Sequence, residues 1–425
     1  MAADREDIAD YLVELGATLS GYGCPSYRLE DVIRAVAEAE GHRADPFSLP
    51  TGLFLRVLSP DGSGTQVNRM TRVSEWGVDL ARLTAIDHIF NDVISRKTTI
   101  EEARKRIKAA VKRDPAWPAW SVFVATVVLS GASAVFFQGG WLDIAVAALI
   151  GAVIAGARPL LAGRKRSGRD IAAASRRNAR LLLSDFLGGL FATACAGLAV
   201  MVWPEVHPVI IVPAGAISLF PGMTFTTGVA EVAQKNIVAG GARLVEAAVT
   251  LLLIFFGVAL MDGLADATHF TIPSWLPNGA PPPGLPWFVQ LGALACAAVA
   301  LGALFQVPRK WLWSTLLSCA TGWLVAALAL RFHLPGHVTA FCASLAVCVV
   351  ANGLSRMTHR PAQLFQLPGM MLLVPGSFGF MGLGEYFEGK TLDGTQRVFS
   401  MGLVGAALVI GVLVANVVVP SRKLL

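Results

Sequence analysis

The sequence predicts an all-α polytopic membrane protein: about ten transmembrane helices in two five-helix halves arranged as an inverted repeat, with a small α+β cytoplasmic domain at the N-terminus. Composition is the first reason. Of 425 residues, 54% are hydrophobic and 15% charged, with a mean hydropathy of +0.59, where a soluble domain carries about 25% charged residues. The second is length, since several apolar runs after residue 115 approach the ~20 residues needed to cross a bilayer. The third is a shared break: Val212–Gly228 and Gln366–Leu383 each hold a glycine, five residues, then Pro-Gly.

Residues 1–115 read as the cytoplasmic domain. Leu12, Leu15 and Leu19 give Tyr11–Gly21 an apolar face, and Leu29, Ile33, Val36 and Ala37 do the same for Tyr27–Glu40. Ser26 is placed to cap that second helix. Phe54–Ser59 and Thr65–Met70 flank Pro60-Asp61-Gly62-Ser63-Gly64 and read as a hairpin. Helices follow at Glu75–Ile94 and, capped at Thr98 or Thr99, at the strongly basic Ile100–Lys112. MAADREDIAD carries no basic n-region with an apolar core, so no cleaved signal peptide is expected.

The first membrane half, 116–262, holds spans near Trp120–Gln138, Trp141–Leu161, Leu183–Val202, Val209–Thr227 and Leu244–Met261. An extracytoplasmic loop, 263–286, precedes the second half, 287–425. Its spans lie near Trp287–Phe305, Trp311–Leu330, His337–Leu354, Leu364–Leu383 and Val398–Val419. Arginine and lysine crowd the loop between spans two and three and recur at Arg309-Lys310, Arg356, Arg360 and Arg422-Lys423, whereas Asp262–Pro286 has neither. The positive-inside rule then puts both termini in the cytoplasm, with Arg331, Lys390 and Arg397 as minor exceptions. An odd number of spans per half inverts the second half, so the two breaks approach the midplane from opposite sides. The net charge of +6 follows these loops and gives no nucleic-acid footprint.

Proline removes a backbone donor, and in lipid the freed groups need partners in protein or in a water-lined cavity. Paired interrupted spans therefore point to a substrate site: Ser218, Pro221, Gly222 and Thr224 in the first half, Pro375, Gly376 and Ser377 in the second. Half-helix ends offer opposite partial charges, suited to an amino group and a carboxylate. Threonines here, Thr226 and Thr227 included, also bond back to their own helix. Acids in spans are candidates for carrying protons. Asp185 is one, with Arg180 or Arg177 as structural partners, and Glu246 is the other, with Arg243 in reach. Asp143 reads as structural, and Asn352 and Asn416 read equally as packing glue or as ligands.

Gly384–Thr391 fits the phosphate-loop pattern but follows a span rather than a strand and carries Glu385 and Glu388, which repel phosphate. The six cysteines show no disulfide or zinc spacing. No catalytic group, metal or cofactor is expected. A membrane-anchored enzyme with its site in residues 1–115 is the competing class; His42, His88, Asp45, Asp87 and Asp92 lie there without a recognised spacing. A receptor-like protein whose head recruits a partner is a third.

Several stretches together resemble the threonine/serine exporter (ThrE) family. They are LGATLSGYGCPSYRLEDVIRAVAEAEG (15–41), TIEEARKRIKAAVKRDPAWPAW (99–120), FFQGGWLD (136–143), VPAGAISLFPGMTFTTGVAEV (212–232) and QLPGMMLLVPGSFGFMG (366–382). The resemblance covers nearly the whole chain. It implies a cytoplasmic domain before ten spans and export of small hydrophilic amino acids, threonine and serine, drawing on the proton-motive force. Split-chain relatives leave a small dicarboxylate as the alternative. The expected setting is a bacterial cytoplasmic (inner) membrane, with the lipid bilayer, protons and substrate as partners and a homo-oligomer compatible.

Overall fold

The computed structural model describes residues 2–59, 66–73, 77–162, 171–267, 285–374, 376–387 and 389–420. The N-terminal head holds α1 (Ala2–Gly21), α2 (Ser26–Ala39), β1 (Arg43–Leu49), β2 (Gly52–Leu58), β3 (Val67–Arg72), α3 (Leu80–Ile94) and α4 (Ile100–Lys112). The expected leucine and valine stripes of α1 and α2 are buried together against Leu53, Leu55 and Val57 of β2. Gly23, at φ +91°, makes the tight turn between the helices in a conformation that other residues rarely adopt. The sheet is antiparallel in the order β1-β2-β3, and the anticipated hairpin is its β2–β3 pair, with the turn at 60–65 outside the described residues. Strand β1 was not anticipated, because Pro46 and its polar neighbours hide it; as an edge strand it tolerates a missing donor, and its even positions turn inward. Thr99 caps α4 as expected, accepting the Glu102 N–H at 3.4 Å, and Asp79 caps α3. The Ser26 cap is corrected: Pro25 holds the cap position without a side-chain bond, and the acceptor comes from the membrane part.

The membrane part continues with α5 (Ala119–Phe136), α6 (Trp141–Ala162), α7 (Ile171–Val202), α8 (Pro208–Gly215), α9 (Gly222–Ala233) and α10 (Ile237–Ala267). After the 268–284 segment come α11 (Trp287–Leu304), α12 (Leu312–Arg331), α13 (Gly336–Thr358), α14 (Ala362–Leu373), α15 (Gly376–Phe387) and α16 (Thr391–Val418). Among the described residues, eight helices are long and apolar enough to cross a membrane, or nine if the bent pair of Pro208–Gly215 with Ile217–Ala233 is one span. The expected ten reduces to this because the Pro-Gly breaks divide the fourth and ninth runs into short helices.

Neighbours recur between the halves. Helix α5 packs on α6 as α11 does on α12, α6 on α8 as α12 on α14, α7 on α10 as α13 on α16, and α9 on α10 as α15 on α16. Small residues bring α7 and α10 into backbone contact: a methyl on Gly189 would overlap the Ile254 carbonyl, and one on Gly257 the Phe186 carbonyl. Asn352 joins α13 to α16, donating to Asn416 Oδ1 at 3.0 Å and to the Val419 carbonyl at 2.8 Å, the gluing role of the two open to it.

The head lies on one face of this bundle, and the C-terminal end of α16 meets Arg356 on that same face. On the opposite face, buried Asp143 accepts from the N–H groups of Gly140 and His207 at 2.8 Å and from His207 Nδ1 at 3.1 Å, which ties the α5–α6 turn to the start of α8. That is the structural role expected of it.

Candidate functional site

Each broken run folds as its prolines dictate. Helix α8 ends at Gly215, a single 3-10 turn follows at Ile217–Leu219, and Phe220 is extended (φ −64°, ψ 126°) before Pro221. In the second half α14 ends at Leu373, and Val374 is extended in the same way (φ −67°, ψ 131°). Both residues precede a proline, whose ring excludes the helical region there. Pro375 itself lies outside the described residues; α15 begins at Gly376.

The two breaks meet. A Cβ on Gly376 would lie 3.2 Å from Phe220 Cβ and 3.5 Å from Gly222 Cα, and a methyl on Gly222 would overlap Val374 Cγ1. Helices α9 and α15 therefore start beside each other and run to opposite faces, α9 toward the head. The first N–H groups of any helix lack intrahelical acceptors, and its N-terminus carries roughly half a positive charge. Two such ends converge here, beside the carbonyl ends of α14 and of the 3-10 turn. Phe220, Phe380 and Phe255 wall the junction, with ring centroids 5.0 and 6.1 Å apart along the chain of contacts.

Of the residues singled out in the sequence, Pro221, Gly222 and Gly376 converge at this junction. Ser218 and Ser377 are half-buried beside it, and Thr224 is buried two positions beyond the start of α9. Thr226 bonds back to the Gly222 carbonyl at 3.0 Å, as threonines in spans do. Asp185 is close: Gly188, one turn along α7, packs directly on Leu219 of the break. Its described ion-pair partner is Arg158 of α6, at 3.6 Å, rather than Arg180, and Asp185 Oδ1 has no hydrogen bond; the side chain of Arg177 lies outside the described residues. Arg158 belongs to α6 rather than to the basic loop that follows it. The pairing of Glu246 with Arg243 does not form either; Arg243 turns to Glu231, and Glu246 lies on the uncovered face of α10. Glu385, in the rejected phosphate-loop match, sits in α15 and pairs with Arg397 at 2.6 Å.

A contact missed in the sequence ties the head to this junction. Glu231, fully buried near the end of α9, accepts the Ser26 N–H at 2.9 Å through Oε1 and Arg243 Nε at 3.0 Å through Oε2. It thus satisfies a free donor at the start of α2 from the first membrane half. Glu30 Oε1 does likewise for Ser48 N at 3.0 Å and Asn236 Nδ2 at 3.3 Å. Burial raises the Glu30 pKa, against the Ser48 N–H and Arg34, which lower it. On the second half, Leu80 and Ala81 of α3 donate to the carbonyls of Phe305 and Gln306 at 3.0 and 3.1 Å, extending α11 across the boundary. Leu364 and Phe365 of α14 are buried in the head's own core. A lone glutamate inside TGVAEVAQ was the available signal, since an acid in an apolar run needs a partner.

An apolar groove of about 680 Å³ between α10 and α15 is lined by Leu252, Phe255, Phe256, Ala259 and Leu383 among others. Its described lining residues carry no polar side chain for a hydrophilic substrate, so the break junction is the candidate site within the membrane part.

Comparison with known proteins agrees with this architecture. A model of the threonine/serine exporter family, ThrE, matches residues 10–264, and a second model described as threonine/serine exporter, ThrE, matches residues 290–418. The chain is 25% identical over 391 residues to an uncharacterized protein of Schizosaccharomyces pombe, covering 88% of this chain and 48% of that one. It is 23% identical over 387 residues to pheromone-regulated membrane protein 10 of Yarrowia lipolytica, covering 88% and 30%. The protein of the same name in Kluyveromyces lactis is 23% identical over 380 residues, with 86% and 37% covered. The chain thus spans less than half the length of these relatives. All three are fungal, and two of them are named as membrane proteins. No solved structure matches the chain. With both halves matched by models of one family, and with head, spans and paired breaks in place, the chain belongs to the threonine/serine exporter family.

Proposed function

We propose that the protein is a secondary active exporter of small hydrophilic amino acids, threonine and serine, with the substrate held where the two broken spans meet. One observation carries this reading: the N-termini of α9 and α15 start side by side at Gly222 and Gly376. Their free N–H groups suit a carboxylate, the carbonyl ends of α14 and the 3-10 turn suit an ammonium, and Ser218, Thr224 and Ser377 offer hydroxyls for the side chain. The recurring neighbour pairs of the two halves support an inverted repeat of five spans each, counting each broken run as one. Rocking of one half against the other would then expose the junction alternately to each face.

The distribution of arginine and lysine supports a cytoplasmic head and cytoplasmic termini. In a bacterial cytoplasmic membrane, where the proton gradient points inward, proton uptake from outside drives substrate out. Asp185 is our carrier for that proton. It sits one turn from the break, and its only described counter-charge is an ion pair without a hydrogen bond. Protonation cancels the attraction and frees Arg158, a local charge change that can bias the α6–α7 packing. Glu246 is the second acid for this role, less sheltered because no protein covers it.

Two converging positive helix ends also favour a second reading, a small dicarboxylate as cargo. Counterflow into proteoliposomes decides between them and tests the proton assignment. Labelled threonine is expected to exchange in preference to succinate and to respond to an imposed pH gradient. Asp185→Asn is expected to keep exchange and lose the response. Preference for succinate would favour the second reading, and a gradient response that survives Asp185→Asn but not Glu246→Gln would move the proton to Glu246. No exchange of either class would overturn the exporter reading and reopen the enzyme reading of the head.

A further inference from the structure

The distal end of the head, away from the membrane part, carries an open groove of about 760 Å³ that the export reading leaves unused. Four helix ends converge on it. Helix α2 begins at the membrane side, where Glu231 meets Ser26, and so brings its C-terminal end, Ala39–Gly41, to the groove. Helix α3 begins against Phe305 and brings its C-terminal end likewise, while α1 and α4 bring their N-terminal ends. Negative and positive helix ends therefore face each other across one cleft.

The side chains repeat that division. Arg96, Lys97 and Arg104 line the groove with Asp7, Glu40 and Glu101, three cations and three acids. Among the described residues, Lys97, Glu40 and Glu101 take part in no ion pair, although opposite charges share the same cleft. Arg96 is held at φ +54°, a conformation unusual for a residue with a side chain, and bonds across the groove to the Ala39 carbonyl at 3.3 Å.

We propose that this groove is an effector site for a free α-amino acid on the head's side of the membrane, separate from the transport junction. Balanced charge selects the ligand class. An inorganic anion would meet as many acids as cations, whereas a zwitterion places its carboxylate by Lys97 and the start of α4 and its ammonium by Glu40 and the end of α2. The groove lies at one end of α2 and α3, whose other ends contact Glu231 on α9 and the end of α11. An occupant therefore bears on both membrane halves through two rigid helices. The site does not depend on the export reading, because binding is detectable without transport.

Hydrogen–deuterium exchange on the full chain in detergent tests this locally, with L-threonine, acetate and inorganic phosphate as separate probes. L-threonine is expected to slow exchange at residues 39–41 and 96–101, with an affinity weakened about tenfold in both Lys97→Gln and Glu40→Gln. Neither of these groups is paired, so both variants are expected to melt as the parent does. Equal protection by acetate or phosphate would overturn the zwitterion assignment. Protection absent from these segments, or indifferent to both substitutions, would overturn the site itself. Protection confined to residues 216–224 would do the same while supporting the transport junction.

Discussion

Glu231 serves two masters with one carboxylate, and its burial makes the arrangement costly to disturb. Its side chain and that of Arg243 are 0% and 3% exposed. Removing one member of a buried pair destabilises by about 3–5 kcal/mol, because the remaining charge keeps its desolvation cost. Glu231→Gln retains an oxygen for the Ser26 N–H and removes only the charge facing Arg243. It is expected to lower full-chain stability by ~3 kcal/mol, read as a fall in Tm in detergent. An unchanged Tm would mean that the ion pair contributes nothing beyond its neutral hydrogen bonds. The residue scale is also where sequence reading was weakest. Asp185 and Arg158 were both visible as charges at the edge of apolar runs, yet their partnership was not, because 27 positions separate them and only helix packing brings α6 against α7.

At the scale of elements the sequence was far more legible. Proline and glycine act within a residue or two, so both breaks and their extended predecessors follow from local sterics, and the α4 bounds follow from Thr99 and a single amphipathic turn pattern. Strand β1 escaped because edge pairing, rather than its own composition, makes Arg43–Leu49 a strand. What local signals could not give is that the two breaks touch. That contact depends on the fit of Gly222 against Val374, and it yields an expected rescue. Gly222→Ala places a methyl into Val374 Cγ1, which parts the α9 and α15 ends, whereas Gly376→Ala meets Phe220 Cβ only at 3.2 Å. Counterflow is expected to fall at least about tenfold in Gly222→Ala, a loss of roughly 1.4 kcal/mol. It should fall less in Gly376→Ala, and it should recover in Gly222→Ala combined with Val374→Ala. Failure of the double variant to recover would show that Gly222 matters through its backbone freedom rather than through this contact.

For the whole molecule, the head is fastened to both halves at once: to the first through Ser26–Glu231 and Glu30–Asn236, to the second through Leu80–Phe305 and the burial of Phe365. On the export reading, rocking that opens the head's face would loosen one of these attachments, and the head would act as a clamp whose grip sets how often that face opens. Helix α9, twelve residues and about 18 Å long, carries the connection from Glu231 to the break. Ser26→Pro tests the clamp with little harm to the head. Proline is well tolerated at the first position of a helix, and Pro25 already has the extended backbone (φ −62°, ψ 149°) that a following proline requires. The substitution removes the single N–H that Glu231 Oε1 accepts and sets a ring carbon against that oxygen. A hydrogen bond to a charged group contributes about 1.5–3 kcal/mol, so the opening equilibrium should shift by roughly tenfold or more. Deuterium uptake is expected to rise at residues 222–236, the stretch that runs from break to clamp, while α1 and the sheet stay protected. Uptake that rises throughout the head would mean that Ser26 serves head folding alone, and unchanged uptake at 222–236 would sink the clamp.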